Sequence, residues 1–476
     1  MKRELFLKIL KLGAVALLLY LLLFGGHLRR SSPGVSGSAL REFTAILLDH
    51  GFQWMAFACL GIYFTTFLIL RSRASTGFWP VGNADLWLSV GLGIMAVLYA
   101  VRYVPSAPAL TLLAGAVLGQ GMAFWADFEF QNSKFKIQNW FGVLVVSILV
   151  IFLAWASVWH TSAGQSYQYR TQARWSGPWD NPNIAGLLMA TGVMLALGLT
   201  VASFLMLSGK VGKWSCALLC LLAAILLGRG LLHSYSRGAW LGTVCGLAYL
   251  AVYGFTRFRL DQDTAGKPSI SWFKKCRFPL SVVSLSVVLL STLILAFWHF
   301  RETNWHPAHR AFSAVNTADF SWRNRIAAWE GALQMMAEYP FVGTAWGQAE
   351  PLYDDYYVPP KLGEGAAIET NDILMLGATV GIPTLFCFGM YLWLSLKGKG
   401  QSGEHPPSPS LRRTRKAEMQ DGDWMRTVCH AGAIVLLIGF WFDGGLFKLP
   451  TAATFWILLE LGNVRNQETT ESLKDE

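Results

Sequence analysis

Charge is scarce in this chain: 14% of its 476 residues are Asp, Glu, Lys or Arg, while 53% are hydrophobic. A soluble chain carries charge on about a quarter of its residues, so a soluble domain cannot account for most of this one. Alternation at period two is also missing from the apolar runs, which are continuous, and that excludes a membrane β-barrel. The seven cysteines lie in or beside apolar runs, with no CxxC pair and none in the long hydrophilic loop. No metal site or disulfide framework is therefore indicated, and no cofactor is expected. Neither an internal repeat nor an inverted pair of interrupted helices of the transporter kind is visible. The net charge of +10 raises nucleic acid as a partner, but the basic residues sit in short loops between apolar runs. Membrane orientation explains them more simply, so no nucleic acid is expected.

The apolar residues gather into runs near or above the length that crosses a bilayer as a helix, such as Ile184–Leu207 and Pro279–Phe300. The 21 Trp residues, many near the ends of these runs, fit an interfacial aromatic belt. The expected fold class is an all-α polytopic membrane protein. Its spans, about 12 by length, are 5–25, 52–70, 86–101, 109–126, 140–158, 184–207, 214–231, 239–255, 279–300, 372–396, 428–442 and 446–461. Residues Met1 to Gly26 resemble a signal peptide, but a convincing cleavage site is lacking before Arg29, so this stretch reads as a retained first span. Most Lys and Arg fall inside if both termini are cytoplasmic. The chain then divides into an N-terminal transmembrane bundle (1–300), a periplasmic loop (301–371) and C-terminal transmembrane helices (372–476). Residues 397–427, rich in Gly, Ser, Pro and Arg, read as a flexible cytoplasmic linker.

Four elements on the outer side can carry chemistry. Ala173 to Gly186 places Arg174 outside and Asn183 near the entrance of a span, where Asn is also a helix cap. Tyr235-Ser-Arg-Gly-Ala-Trp-Leu-Gly242 enters the next span but one; Arg237, beside Ser236, either snorkels to lipid headgroups or holds a phosphate bidentately. Ser321 to Pro340 reads as a helix with Ser321 as N-cap, Pro340 as stop and an apolar face of Ile326, Trp329, Leu333 and Met336. This amphipathic helix would lie on the membrane or cover the bundle, with Arg325 one turn before Trp329. In the fourth element Glu369-Thr-Asn-Asp372 enters a span, where Thr370, Asn371 or Asp372 can equally cap the helix.

The order of these pieces resembles the O-antigen ligase and O-antigen polymerase superfamily, over roughly Arg174 to Pro383. The resemblance rests on Arg…Pro-Asn at a span entrance, Ser-Arg-Gly-Ala-Trp, Arg-x-x-x-Trp with a later Pro-x-x-Gly-x-x-x-Gly, and Asn-x-x-Leu with a later Gly-Ile. It implies a metal-independent glycosyltransferase of the type C kind in the bacterial inner membrane. Such an enzyme moves a glycan from undecaprenyl diphosphate to a lipid or glycan acceptor at the periplasmic face. By the same resemblance Arg174, Arg237 and Arg325 bind the diphosphate, with Asn183, Ser236 and Asn371 in support. Fixed guanidinium groups suit that task, because negative charge builds on the leaving diphosphate and Arg does not lose its proton.

One position departs from the pattern. Where the family has a His that acts as base or positions the acceptor, this chain has Thr370, whose hydroxyl is too weakly basic for that work near neutral pH. Glu369, Asp372 or Glu364 can substitute, as can His306 or His309 from the loop, so the catalytic set is Thr370, Asp372 and Glu369. A polymerase of the same superfamily, a transporter or permease, and a non-catalytic scaffold stand as the other readings. Ionisable groups at mid-membrane would mark a transporter; here they are few, and the basic ones gather at the outer ends.

Overall fold

Continuous apolar runs satisfy their backbone polar groups in lipid by closing hydrogen bonds within a helix. The computed structural model is accordingly mostly helical. It describes residues 15–24, 84–102, 107–132, 140–158, 168–169, 172–179, 181–206, 210–265, 306–312, 320–345, 348–358, 371–397 and 409–463, with a few isolated positions besides. In chain order these form α1 (Val15–Phe24), α2 (Ala84–Arg102), α3 (Ala107–Asn132) and α4 (Trp140–Val158). A two-strand ribbon follows, β1 (Gln168–Tyr169) antiparallel to β2 (Gln172–Ala173), then a tight helical turn at Gly177–Trp179. After it come α5 (Pro182–Met206), α6 (Lys210–Ser234), α7 (Arg237–Ala265), α8 (His306–Phe312), α9 (Phe320–Glu338) and α10 (Ala349–Tyr356). The chain ends with α11 (Asp372–Val380), α12 (Ile382–Lys397), α13 (Pro409–Phe442) and α14 (Leu449–Leu461).

Among the described residues three helices are long and apolar enough to cross a membrane: Pro182–Ser203 in α5, Val211–Ser234 in α6 and Trp424–Phe442 in α13. Shorter apolar helices lie in α1, α2, α3, α4, α12 and α14. The expected span at 52–70, and nearly all of that at 279–300, fall outside the described residues. The apolar stretch of α5 is 89% buried and that of α6 only 28%, so α5 is the axis of the bundle and α6 lies at its edge.

Lipid tails are as apolar as the helices, so close packing rather than water exclusion must join them, and glycine makes that approach possible. A Cβ on Gly119 of α3 would stand 2.7 Å from the backbone oxygen of Trp456 in α14. One on Gly242 of α7 would stand 2.7 Å from the backbone oxygen of Val435 in α13. A polar tie adds to this packing: the buried Tyr391 hydroxyl of α12 donates to the Glu460 carboxylate of α14.

Three expectations need correction. The single span 372–396 is two helices, broken at Gly381, whose φ of +86° a side chain would strain. The break has partners: Ile382 N–H donates to Pro340 O (2.8 Å), while Thr344 and Ala345 N–H donate to Ala378 O and Thr379 O (2.8 and 3.0 Å). The loop after α9 thereby caps the carbonyls that end α11. Second, α13 begins at Pro409, inside the segment expected to be a flexible linker. Proline suits a first helical position, and Arg412, Arg413, Lys416, Ala417, Glu418 and Met419 are strong helix formers. Third, α9 begins at Phe320, so Ser321 lies within its first turn rather than at the cap.

The buried face of α9 agrees only in part with the expected one: Met336 is buried and Trp329 packs against the same cluster, as expected. Ala328, Ala332, Met335 and Met336 are buried, whereas Ile326 and Leu333 are exposed. Small residues decide this, because they let α9 sit close on α10; a Cβ on Gly331 would stand 2.5 Å from the Tyr353 ring.

Valine at Gly119 must push α14 away from α3. The expected cost is about 1–3 kcal/mol of stability, read as a lower melting temperature of G119V in detergent.

Candidate functional site

The turn between α6 and α7 is where residues expected at the outer face meet. Its central residue, Tyr235, has a φ of +51°, a conformation costly for a non-glycine residue and held by its surroundings. Burial and the neighbouring Tyr169 push the Tyr235 hydroxyl pKa up. Ser236 follows as the cap of α7, its Oγ accepting from Ala239 N–H at 3.1 Å. From below, α5 comes so near that a Cβ on Gly186 would stand 2.6 Å from Ser234 Oγ.

Arg174 grips one end of this turn. Its Nε donates to Ser234 O at 2.8 Å and its Nη2 to Asn183 Oδ1 at 2.6 Å, within a buried setting. Asn183 thus holds Arg174 in place, while the cap of α5 is Asn181, whose Oδ1 accepts from Asn183 N–H at 2.9 Å. The other end is held through Asp443, in the short connection between α13 and α14. Ser236 Oγ donates to Asp443 Oδ2, and Arg325 of α9 donates from Nη2 to Asp443 Oδ1 at 2.9 Å. Arg325 Nε reaches the neighbouring Phe442 O at 2.9 Å. The ion pair is buried, with 11% of the Arg325 side chain and 2% of the Asp443 side chain exposed.

The Ser236-Arg-Gly238 motif acquires a geometric reason. Ser236 supplies a hydroxyl to Asp443, and Gly238 leaves room for it, since a Cβ there would stand 2.5 Å from Asp443 Oδ2. Arg237 lies between them as the first residue of α7 and is half-buried. After Asp443, Gly444 and Gly445 take φ values of +71° and +133°, which turn the chain so that Leu446 N–H donates to Asp372 Oδ2. The N-termini of α7 and α11 thus meet one connection, each with a carboxylate against its positive end.

Of the residues expected to do chemistry, the structure joins Arg174, Asn183, Ser236, Arg325 and Asp372 to this turn and the 443–446 connection, with Arg237 adjoining in sequence. Asp372 is 3% exposed, and its Oδ2 holds the backbone of Leu446. Asn371 caps α11 through Oδ1, which accepts from Leu374 N–H at 3.0 Å, and its buried Nδ2 has no hydrogen-bond partner among the described residues. Thr370, Glu369 and Glu364 lie outside the described residues. His306 and His309 stand on α8 with Arg310, whose guanidinium lies 4.8 Å over the Tyr169 ring. Tyr169 in turn is 5.6 Å from Tyr235, so α8 reaches the turn through aromatic contacts. Among the described residues no cluster of His, Cys, Asp and Glu is placed to hold a metal ion.

Asp443 escaped the sequence reading, which ended one span at Phe442 and began the next at Leu446. A signal was present: an acidic residue before two glycines, in a turn expected on the side where the arginines gather.

Residues 222–389 match a family model described as O-antigen ligase. The match covers about a third of the chain. No curated protein matches it. The matched segment runs from within α6 into α12 and takes in Ser236, Arg237, Arg325 and Asn371, while Arg174, Asn183 and Asp443 lie on either side of it. Residues outside the matched segment therefore complete the cluster around Ser236 and Arg325.

Removing the Asp443 carboxylate leaves Arg325 buried without its counter-charge, a loss of about 3–5 kcal/mol for a buried pair. In D443A, amide hydrogen exchange across residues 325–336 is expected to accelerate relative to α5, as α9 loosens from the bundle.

Proposed function

We propose that this protein transfers a glycan from undecaprenyl diphosphate to an acceptor at the periplasmic face, as an O-antigen ligase of the inner membrane with both termini in the cytoplasm. The observation that carries the reading is the turn 234–236, gripped by Arg174 at one end and tied to Arg325 through Asp443 at the other, with Arg237 next in the chain. The match to the O-antigen ligase model across the same turn supports it.

The chemistry follows from charge. An acceptor hydroxyl oxygen bonds to the sugar C1 as the C1–O bond to the diphosphate breaks, and the diphosphate departs with the electron pair. Guanidinium groups held by other residues stabilise that charge without having to reorganise. Arg174 and Arg325 each have one edge committed to backbone carbonyls, which fixes the plane of the fork. The phosphate oxygens would lie beside Arg237, in the first turn of α7, with the Arg325–Asp443 pair left in place. The proton released by the acceptor passes to a carboxylate of the Glu369–Asp372 segment, because Thr370 is too weakly basic to take it. Asn371, at the cap of α11, would offer its Nδ2 donor to the same anion.

Loss of a single preorganised donor to a developing anion lowers turnover by roughly 100-fold or more. Cells carrying only R237A are therefore expected to lose surface glycan and accumulate the lipid-linked precursor. In reconstitution with that precursor, transfer to a lipid A core acceptor supports ligation, and chain growth on a second lipid-linked repeat assigns polymerisation instead. A folded R237A with wild-type transfer overturns the phosphate role.

A further inference from the structure

The start of α13 is a feature that the transfer reading does not use. The helix begins at Pro409, whereas its apolar stretch begins at Trp424, so about 22 Å of helix precede the span. This arm is charged in two blocks. Arg412, Arg413, Arg415 and Lys416 occupy its first turns, and Glu418, Asp421 and Asp423 follow before the span.

The basic block stands where a helix tolerates it least. Cations at a helix N-terminus oppose the dipole, and Arg412 and Lys416, one turn apart, repel each other. No acidic residue stands in the first turn to offset them. A helix that starts here therefore calls for an anion beside it. An anionic lipid surface fits poorly. Along the axis Lys416 stands about 12 Å and Arg412 about 18 Å from Trp424, beyond a headgroup layer about 5–8 Å thick. The three carboxylates also lie between the basic block and that surface, which they repel.

Another segment of this chain fits better. The last helix, α14, runs back along α13: a Cβ on Gly432 would stand 2.9 Å from Leu458 Cδ1, and one on Gly462 would stand 2.4 Å from His430 Cδ2. The chain that follows Asn463 thus starts beside α13, at the end of the bundle from which the arm projects. Residues 464–476 lie outside the described residues, but their charges run in an order complementary to that of the arm. Arg465 comes first, then Glu468, Glu471, Asp475 and Glu476, with Lys474 the one cation among them. The lengths agree as well. From His430 along α13 it is about 10 Å to Asp423, about 21 Å to Lys416 and about 27 Å to Arg412. Extended chain from Gly462 spans at most about 10 Å to Arg465, about 21 Å to Glu468 and about 31 Å to Glu471.

We propose that residues 464–476 dock along the first turns of α13 as an electrostatic latch. Arg465 meets Asp421 and Asp423, while Glu468 and Glu471 meet Lys416, Arg415 and Arg412. The latch holds the arm helical and ties the end of α14 to the entry of α13. It goes beyond the transfer reading and stands apart from the turn 234–236, so the failure of one leaves the other intact.

The test follows amide hydrogen exchange in the full chain, held in phosphatidylcholine nanodiscs. The four carboxylates are neutralised together, as Glu468→Gln, Glu471→Gln, Asp475→Asn and Glu476→Gln. Exchange over residues 411–418 is then expected to speed up roughly tenfold, the change that a few exposed ion pairs supply together. Wild-type chain in about 0.5 M NaCl, where the screening length falls to about 4 Å, is expected to do the same. Lys416→Glu and Glu471→Lys are each expected to speed exchange, and the double variant to recover protection. Unchanged exchange in α5 identifies variants that keep the bundle, and the salt comparison needs no variant. Exchange over 411–418 that ignores both the four substitutions and the salt overturns the proposal. So does protection that appears only when phosphatidylglycerol replaces part of the phosphatidylcholine, which assigns the arm to headgroups. A double variant no better protected than either single one overturns the pairing.

Discussion

The ion pair between Arg325 and Asp443 is the contact on which the outer half of this molecule depends. Asp443 leaves the end of α13 with one oxygen for Arg325 and the other for Ser236. It thereby joins a loop helix, the cap of α7 and the connection into α14 at a single carboxylate. A buried carboxylate is tolerable only when its charge and lone pairs are met, and here a guanidinium and a hydroxyl meet them. The same requirement explains why glycine stands at 238 and at 444–445. The first admits the carboxylate, and the others turn the chain so that Leu446 can reach Asp372. Two helix N-termini are drawn together in this way, and their positive ends prepare the place for an anion.

The loop beyond α9 is similarly bound to the membrane helices. Backbone groups of Pro340, Thr344 and Ala345 meet those freed by the break between α11 and α12. The interruption of that span is therefore stable because the loop after α9 supplies its hydrogen bonds. Non-helical backbone at this depth needs such partners from protein, since lipid offers none. Loop and bundle consequently form one structural unit around the arginines, although a division at residue 301 separates them by sequence.

How much of this was legible varied with the kind of contact involved. Helical spans could be read because burial in lipid imposes length and polarity on each segment separately, and the helices through 84–102, 107–132, 140–158 and 182–206 lie where apolar runs predict them. The set Arg174, Ser236 and Arg325 was legible as charge or turn chemistry on the side that should carry little positive charge. The face of α9 was not legible, because alanines decided it through close approach, and hydropathy ranks Ile326 and Leu333 above Ala328 and Ala332. Asp443 was missed because its importance comes from partners more than a hundred residues away.

By itself the sequence determined the membrane class, the broad placement of the spans and the clustering of arginines at span ends. Each of these follows from local composition and from the cost of moving charge or bare backbone into lipid. Only the tertiary structure decided which helix ends meet, which carboxylate holds Arg325, and which of α5 and α6 is the buried helix. Those depend on long-range packing, where one methyl group at Gly238 or Gly119 would forbid the arrangement.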